Sequence, residues 1–109
     1  MTSPLSLQEK VILVTGACGL IGKEISTHFI EQGAHVVLAD INAQAGVSMM
    51  KELHAKFPIA SFTFVSLDIT DPESATKAVA ATVVEFGQLD VLINLPDKVR
   101  DNRRQKPMS

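Results

Sequence analysis

The sequence lacks or is poor in residues on which several kinds of protein depend. Its 109 residues include no tyrosine or tryptophan and one cysteine, so an internal disulfide is excluded. The longest apolar runs, such as residues 11–14, are far shorter than the ~20 residues of a membrane span. No basic segment with a long apolar run and a small-residue cleavage site occurs near the N-terminus. We therefore expect a cytoplasmic protein that does not enter a membrane.

Charge divides the chain into two parts. Residues 1–95 contain five Lys or Arg against ten Asp or Glu, whereas residues 96–109 contain five against two. We predict one domain over residues 1–95 and a basic, disordered tail over residues 96–109. The tail has no aromatic residue for base stacking, so we do not expect nucleic-acid binding. Its abrupt change of character is more typical of a truncated or altered reading frame than of a binding module.

Short β-branched runs alternate with longer amphipathic segments, which is typical of βαβ units and a parallel sheet. The runs predict strands at residues 10–15, 35–40, 61–66 and 89–94. The segments between them predict helices at residues 20–32, 43–56 and 72–86. In the second helix we expect Val47, Met50, Leu53 and Phe57 on the buried side, and the pair Met49 and Met50 is expected to fill the core. Asp71 and Pro72 suit the start of the third helix, and Gly87 suits its end.

Three glycines, Gly16, Gly19 and Gly22, lie between the first strand and the first helix. Such a turn lets backbone N–H groups and a helix N-terminus face an anion without side chains in the way, and a diphosphate is the natural ligand. Ordinary turn and capping roles for these glycines remain the alternative. The phosphate loop of NTPases does not fit, because Lys23 is followed by Glu24 instead of Ser or Thr.

Asp40 ends the second predicted strand, 18 positions after Gly22, where a carboxylate can accept hydrogen bonds from an adenosine ribose. Its charge would repel a 2'-phosphate. No arginine precedes Arg100, and Lys23 is the one nearby cation in the sequence, so NAD is favoured over NADP. The alternative is that Asp40 is an ordinary polar residue at a strand end.

Three motifs together carry a resemblance to a known family. Residues 15–22 match the pattern TGxxGxxG, residues 68–70 read Asp-Ile-Thr after the third strand, and residues 90–94 read Asp-Val-Leu-Ile-Asn. Over residues 11–94 the chain resembles the N-terminal half of a short-chain dehydrogenase/reductase. The resemblance implies a Rossmann-like doubly wound parallel α/β sheet, truncated to four strands in the order 3-2-1-4 and three helices. It also implies NAD(H) binding by Gly16, Cys18, Gly19, Leu20, Ile21, Gly22, Asp40, Ile41, Asp68, Ile69 and Asn94.

The resemblance implies hydride transfer between a nicotinamide and an alcohol or carbonyl carbon, a reaction for which the family uses Tyr, Lys and Ser as catalytic residues. This sequence has no tyrosine, and Asn94 is followed by Leu95 and Pro96 where the family usually has Ala-Gly. We expect the NAD-binding part of an oxidoreductase that is not catalytically competent alone and takes a small-molecule substrate if a catalytic half is supplied. The alternative is a non-catalytic nucleotide-binding or partner-binding module.

Three further sequence features bear on metal binding, reactivity and association. The three histidines lack the spacing of metal ligands, so no metal site is predicted. Cys18 lies at a helix N-terminus, where a thiolate would be stabilised, although a small residue at this position is commonly structural. The fourth strand would have an open apolar edge, which predicts self-association through that edge.

Overall fold

A computed structural model of the protein describes residues 7–68 and 70–95; Ile69 and the predicted tail at 96–109 lie outside the described residues. The elements are β1 Val11–Thr15, α1 Leu20–Glu31, β2 His35–Asp40, α2 Ala43–Lys56, β3 Phe62–Ser66, α3 Pro72–Phe86 and β4 Val91–Asn94. All seven predicted elements are present, and their ends differ from the predicted ends by two residues at most.

The four strands form one parallel sheet in the order β3-β2-β1-β4, which confirms the Rossmann-like α/β class. Thr15 pairs with Asn94, and Asp40 pairs with Ser66, so the carboxyl ends of all four strands lie along one edge. After β1 the chain builds outward to β3 and then returns to place β4 on the other side of β1. The carboxyl end between β1 and β4 is therefore the topological switch point, where ligands bind in open α/β sheets.

The two central strands are buried on both faces, as their nearly continuous apolar sequences require. Alternate residues of β1 and β2 belong to two separate core clusters. The cluster under α1 and α2 contains Ile12, Val14, Ala17, Ile30, Ala34, Val36, Leu38, Met49, Leu53 and Phe62. The cluster under α3 contains Leu13, Val37, Ala39, Leu67 and Ala78.

The predicted buried side of α2 is partly wrong. Val47 is 56% exposed, whereas the predicted Met49 and Leu53 are buried. The physical reason lies in β3: a side chain at Gly46 would overlap the ring of Phe64, so the helix presents its glycine to that ring. Placing Gly46 against the sheet turns its neighbour Val47 outward.

The ends of α2 and α3 carry the signals expected from sequence. The Asn42 side chain accepts a hydrogen bond from the backbone amide of Ala45 at the start of α2. Asp71 caps α3, and Gly87 ends it with a left-handed φ of 82°. By contrast, α1 begins at Gly19 with no side-chain cap. The one uncapped helix N-terminus among these three therefore lies at the glycine-rich turn.

Candidate nucleotide-binding site

The glycine-rich turn brings the first turn of α1 directly against the end of β1. Gly16 has a φ of 67°, a conformation that glycine adopts at little cost, and its carbonyl oxygen accepts from the amide of Gly19 at 3.2 Å. A Cβ atom on Gly22 would overlap the Gly16 carbonyl oxygen and lie 2.8 Å from the Cα of Ala17. Gly22 is thus required for this close approach of helix and turn.

The N-terminus of α1 has backbone amides that no helical carbonyl or capping side chain satisfies. The Lys23 amide donates to the Gly19 carbonyl at 2.9 Å, so the amides of residues 20–22 precede the first helical hydrogen bond. Gly19 has φ −73° and ψ 171°, an extended conformation open to any residue, yet it offers no capping oxygen. Leu20 is 83% exposed. An uncapped helix N-terminus with its positive dipole end is a common location for anion binding in proteins.

Asp40 ties the glycine-rich turn to the end of β2. Its side chain is buried, at 4% exposure. Oδ2 accepts from the backbone amide of Cys18 at 2.9 Å, and Oδ1 accepts from the amide of Asn42 at 3.0 Å. Asp40 is therefore more than an ordinary polar residue at a strand end, because its carboxylate fixes the position of the turn. Ile41 follows it and is half-exposed.

Asp68, at the end of β3, is organised by its neighbours. Its Oδ1 accepts from the Oγ1 of Thr70 at 2.6 Å and from the Thr70 amide at 3.0 Å, and these two hydrogen bonds lower the pKa of the carboxyl below its ordinary value. The amide of Asp68 donates to the Oγ of Ser74 at 2.9 Å, which joins this segment to α3. Ile69, the other residue predicted to lie at the adenine, is outside the described residues.

Asn94 is bound to a residue whose role the sequence did not reveal. The Thr15 hydroxyl donates to Asn94 Oδ1 at 2.6 Å and accepts from the backbone amide of Leu95 at 3.1 Å. Thr15 is buried and holds the end of β4 beside the glycine-rich turn. A threonine that ends an apolar strand directly before a glycine was the available signal, but its partner lies 79 positions away.

The predicted residues thus collect along one edge of the sheet. Parallel pairing aligns the turn after β1 with Asp40 after β2, Asp68 after β3 and Asn94 at the end of β4. The nearby cation is already paired, since the Lys23 ammonium lies 2.7 Å from the Glu52 carboxylate. The edge combines the uncapped N-terminus of α1 at its centre with the Asp40 carboxylate on the β2 side.

Comparison with known proteins gives a consistent result. The model of a family described as short chain dehydrogenase matches residues 10–95. Trans-4-hydroxycyclohexanecarboxylate dehydrogenase from Sinomonas cyclohexanicum is 40% identical over 90 residues, which cover 79% of this chain and 35% of that protein. The 15-hydroxyprostaglandin dehydrogenase [NAD(+)] of Mus musculus is 38% identical over 85 residues, covering 78% of this chain and 32% of the enzyme.

A solved structure agrees with these sequence matches. The hydroxysteroid dehydrogenase from Escherichia coli superposes with a TM-score of 0.76 and 32% identity, covering 83% of this chain and 37% of that enzyme. The chain therefore spans about one third of the length of the relatives that it matches.

Residues 7–68 and 70–95 contain neither a membrane-spanning helix nor a cluster of metal-ligating side chains. No helix in these residues has the length and apolar character needed to cross a membrane. In the same residues, no three His, Cys, Asp or Glu side chains are grouped so that they could hold a metal ion.

Proposed function

The chain belongs to the short-chain dehydrogenase family, and from that premise we propose that it binds the adenosine diphosphate part of NAD(H) at the carboxyl edge of its sheet. In this proposal the amides of residues 20–22, at the start of α1 after the turn from Gly16 to Gly19, hold the diphosphate. Asp40 receives the adenosine ribose, and Ile41, Asp68 and Ile69 surround the adenine. Cys18, Gly19, Leu20 and Ile21 form the surface over which the diphosphate lies, and Asn94 lies towards the nicotinamide.

The observation that carries the proposal is the uncapped start of α1 against a turn made close by glycine. A Cβ at Gly22 would collide with backbone atoms, so the turn and helix have no space for a side chain between them. The other two helices satisfy their first amides with Asn42 and Asp71, whereas α1 has no such oxygen. An external anion can supply the missing acceptor.

The surroundings of the ribose position favour NAD over NADP. Asp40 would place a negative charge beside a 2'-phosphate, and its carboxylate is fixed by two backbone amides, so it is not free to swing away. The nearby Lys23 is engaged by Glu52. The 15-hydroxyprostaglandin dehydrogenase relatives carry NAD(+) in their names, which supports the same choice.

We propose further that the chain is the cofactor-binding portion of an oxidoreductase acting on an alcohol or carbonyl substrate. A bound nicotinamide would supply the hydride chemistry. The residues of this chain would bind and orient the cofactor, while proton transfer to the substrate oxygen requires a positioned acid/base that the tyrosine-free sequence does not contain in the family's form. The substrate and the catalytic residues belong to a complementary part.

Titration calorimetry with NADH, ADP-ribose and NADPH tests the proposal. ADP-ribose is expected to bind within about threefold of NADH, since the chain holds the adenosine diphosphate part, and NADPH is expected to bind at least about tenfold more weakly because of Asp40. Binding of NADPH as tightly as NADH would contradict the assignment of Asp40. Absence of binding by all three would overturn the proposed function.

A pair of substitutions at Gly19 separates binding from folding. The φ of −73° suits any residue, and both Gly19→Asp and Gly19→Asn supply a good N-cap, so neither is expected to destabilise α1. Aspartate adds a negative charge beside the diphosphate and is expected to weaken NADH binding at least about tenfold relative to asparagine. Equal affinities for the two variants would show that the diphosphate lies elsewhere.

A further inference from the structure

The burial of Asp40 is at odds with a carboxylate that receives a ribose directly. The residue is 4% exposed, and each of its two oxygens already accepts a backbone amide. An ionised carboxylate has about four lone-pair sites, so its capacity to accept is not exhausted. A ribose hydroxyl is about as large as a water molecule, however, and a carboxylate that is nearly closed to water is nearly closed to that hydroxyl. Direct contact with a ribose therefore requires that one of the covering amides move.

The Asn42 amide is held in place by the start of α2. Its hydrogen bond to Asp40 Oδ1 spans only two residues of the chain. The Asn42 side chain accepts from the Ala45 amide at 2.9 Å, and the Asn42 carbonyl accepts from the Gly46 amide at 3.0 Å. Gly46 in turn lies against the ring of Phe64 in β3. Movement of Asn42 would therefore break the first hydrogen bonds of a helix that is packed on the sheet.

The Cys18 amide belongs to a more adaptable segment. Cys18 lies between Gly16 and Gly19, whose backbone rotation meets fewer steric limits than that of other residues. The hydrogen bond from the Gly19 amide to the Gly16 carbonyl is 3.2 Å long, at the long end of the usual range. The amide of Ala17 donates to the Ala39 carbonyl of β2 at 3.0 Å, so the turn would stay attached to the sheet if the Cys18 amide moved.

A Cys18 amide that leaves Asp40 needs another acceptor. Its hydrogen bond to Asp40 is partly buried, and a backbone N–H that loses its partner in such a place costs free energy comparable with a lost hydrogen bond. The edge of an adenosine ribose carries two hydroxyl groups, each of which can donate and accept. Such an edge can donate to Asp40 Oδ2 and accept from the Cys18 amide, so that every polar group keeps a partner.

We propose that the hydrogen bond between the Cys18 amide and Asp40 Oδ2 is a latch that closes the ribose position in the free chain. The latch opens by exchange: Oδ2 gives up the amide and accepts from a ribose hydroxyl, and the amide donates to a ribose oxygen. The Asn42 amide stays on Oδ1 and keeps the carboxylate in place. This inference rests on the proposed function, because it takes Asp40 as the residue that receives the ribose, and it adds the conformational step that the buried carboxylate requires.

The latch lowers the affinity for a ligand that must open it. A hydrogen bond between an amide and a buried carboxylate is strong enough to keep the open form at about 1–10% of the free chain. The apparent Kd of a ligand that requires the open form is then about 10- to 100-fold higher than its Kd for that form. A ligand that contacts the start of α1 without using ribose hydroxyls leaves the latch closed.

Scalar couplings across hydrogen bonds test the exchange in the full chain, whose 109 residues suit NMR spectroscopy. The measured quantities are the couplings from the amide nitrogens of Cys18 and Asn42 to the side-chain carboxyl carbon of Asp40. Both couplings are expected in the free chain. With saturating ADP, which has the adenosine and diphosphate of NAD(H), the Cys18 coupling is expected to fall at least about fivefold as the closed population falls. The Asn42 coupling is the internal control and is expected to persist.

A matched ligand assigns the exchange to the ribose hydroxyls. 2',3'-Dideoxy-ADP keeps the adenine and the diphosphate but lacks both hydroxyls. We expect it to bind and to leave both couplings at their values in the free chain. Loss of the Cys18 coupling with this ligand would contradict the exchange. Its failure to bind at about tenfold the ADP concentration would also contradict the latch, since the proposed diphosphate position lies outside it.

The remaining outcomes separate this inference from the proposed function. If ADP binds and the Cys18 coupling is unchanged, the latch is refuted and nucleotide binding stands. If neither ADP nor NADH binds, the proposed function fails and the latch fails with it. A Cys18 coupling that is absent from the free chain would overturn the latch whether or not nucleotides bind.

Discussion

Replacing Asp40 by alanine should destabilise the protein strongly, whether or not NAD is present. The carboxylate is 4% exposed and accepts hydrogen bonds from the amides of Cys18 and Asn42 at 2.9 and 3.0 Å. Hydrogen bonds to a charged group contribute about 1.5–3 kcal/mol each. Asn42 is exposed, so its amide can turn to water after the substitution, whereas the amide of Cys18 is partly buried. We expect a loss of about 2–4 kcal/mol in the free energy of unfolding.

Urea unfolding followed by far-ultraviolet circular dichroism measures this loss. With a slope of about 1.5 kcal/mol/M for a domain of this size, the midpoint should fall by about 2 M. Asp71→Ala is the matched control, because Asp71 is an exposed carboxylate that accepts one amide hydrogen bond, from Glu73 at 3.0 Å. Its loss should cost about 1 kcal/mol, as is usual for a helix N-cap.

Asp40→Asn should lie between the wild type and Asp40→Ala, because one amide oxygen can still accept from one of the two donors. If Asp40→Ala costs less than about 0.5 kcal/mol, or no more than Asp71→Ala, the structural role of the carboxylate is refuted. The expected loss also means that Asp40→Ala cannot by itself report on nucleotide binding, which is why the Gly19 pair is the sharper test.

Three other substitutions have defined expected outcomes. Ser26→Ala should raise the free energy of unfolding by about 1 kcal/mol in the same urea assay, because Ser26 is fully buried and its Oγ has no hydrogen-bond partner among the described residues; a loss would refute this. Gly22→Ala should lower the free energy of unfolding more than Gly87→Ala, since a Cβ at Gly22 meets backbone atoms. A Cβ at Gly87 meets nothing within 4 Å, so only the φ of 82° opposes that substitution, at about 1 kcal/mol. The reverse order of the two losses would contradict the packing. The pKa of Asp90 is lowered from 3.8, first by the hydrogen bond from the amide of Val11. The unfolded chain therefore binds more protons than the folded chain as the pH falls below about 4, stability decreases there, and Asp90→Asn should make urea midpoints less sensitive to that acidification.

Local sequence was sufficient for the secondary structure and for predicting that the candidate residues meet at one edge of the sheet. Apolar runs, the cap at Asp71 and the left-handed glycine at Gly87 act over a few neighbouring residues, so they operate in the same way wherever the segment lies. The alternation of strands and helices then implied a parallel sheet, and parallel strands place their carboxyl ends at one edge. This is why the predicted residues that the structure describes, from Gly16 to Asn94, are found along that edge.

Contacts between distant segments were decided by the tertiary structure. The orientation of α2 followed from the ring of Phe64 against Gly46, and nothing in the pattern of α2 itself distinguishes Val47 from Met49 as the buried residue. The role of Asp40 depends on an amide 22 positions earlier, and that of Thr15 on a side chain 79 positions later.

The sequence by itself determined which segments become strands and helices and that a glycine-rich turn precedes the first helix, because these depend on short-range sterics and capping. Only the tertiary structure decided that the Asp40 carboxylate holds the turn and that the Thr15 hydroxyl holds the end of β4. Such contacts join residues that are far apart in the sequence, and strand order and register bring them together only when the whole sheet is assembled.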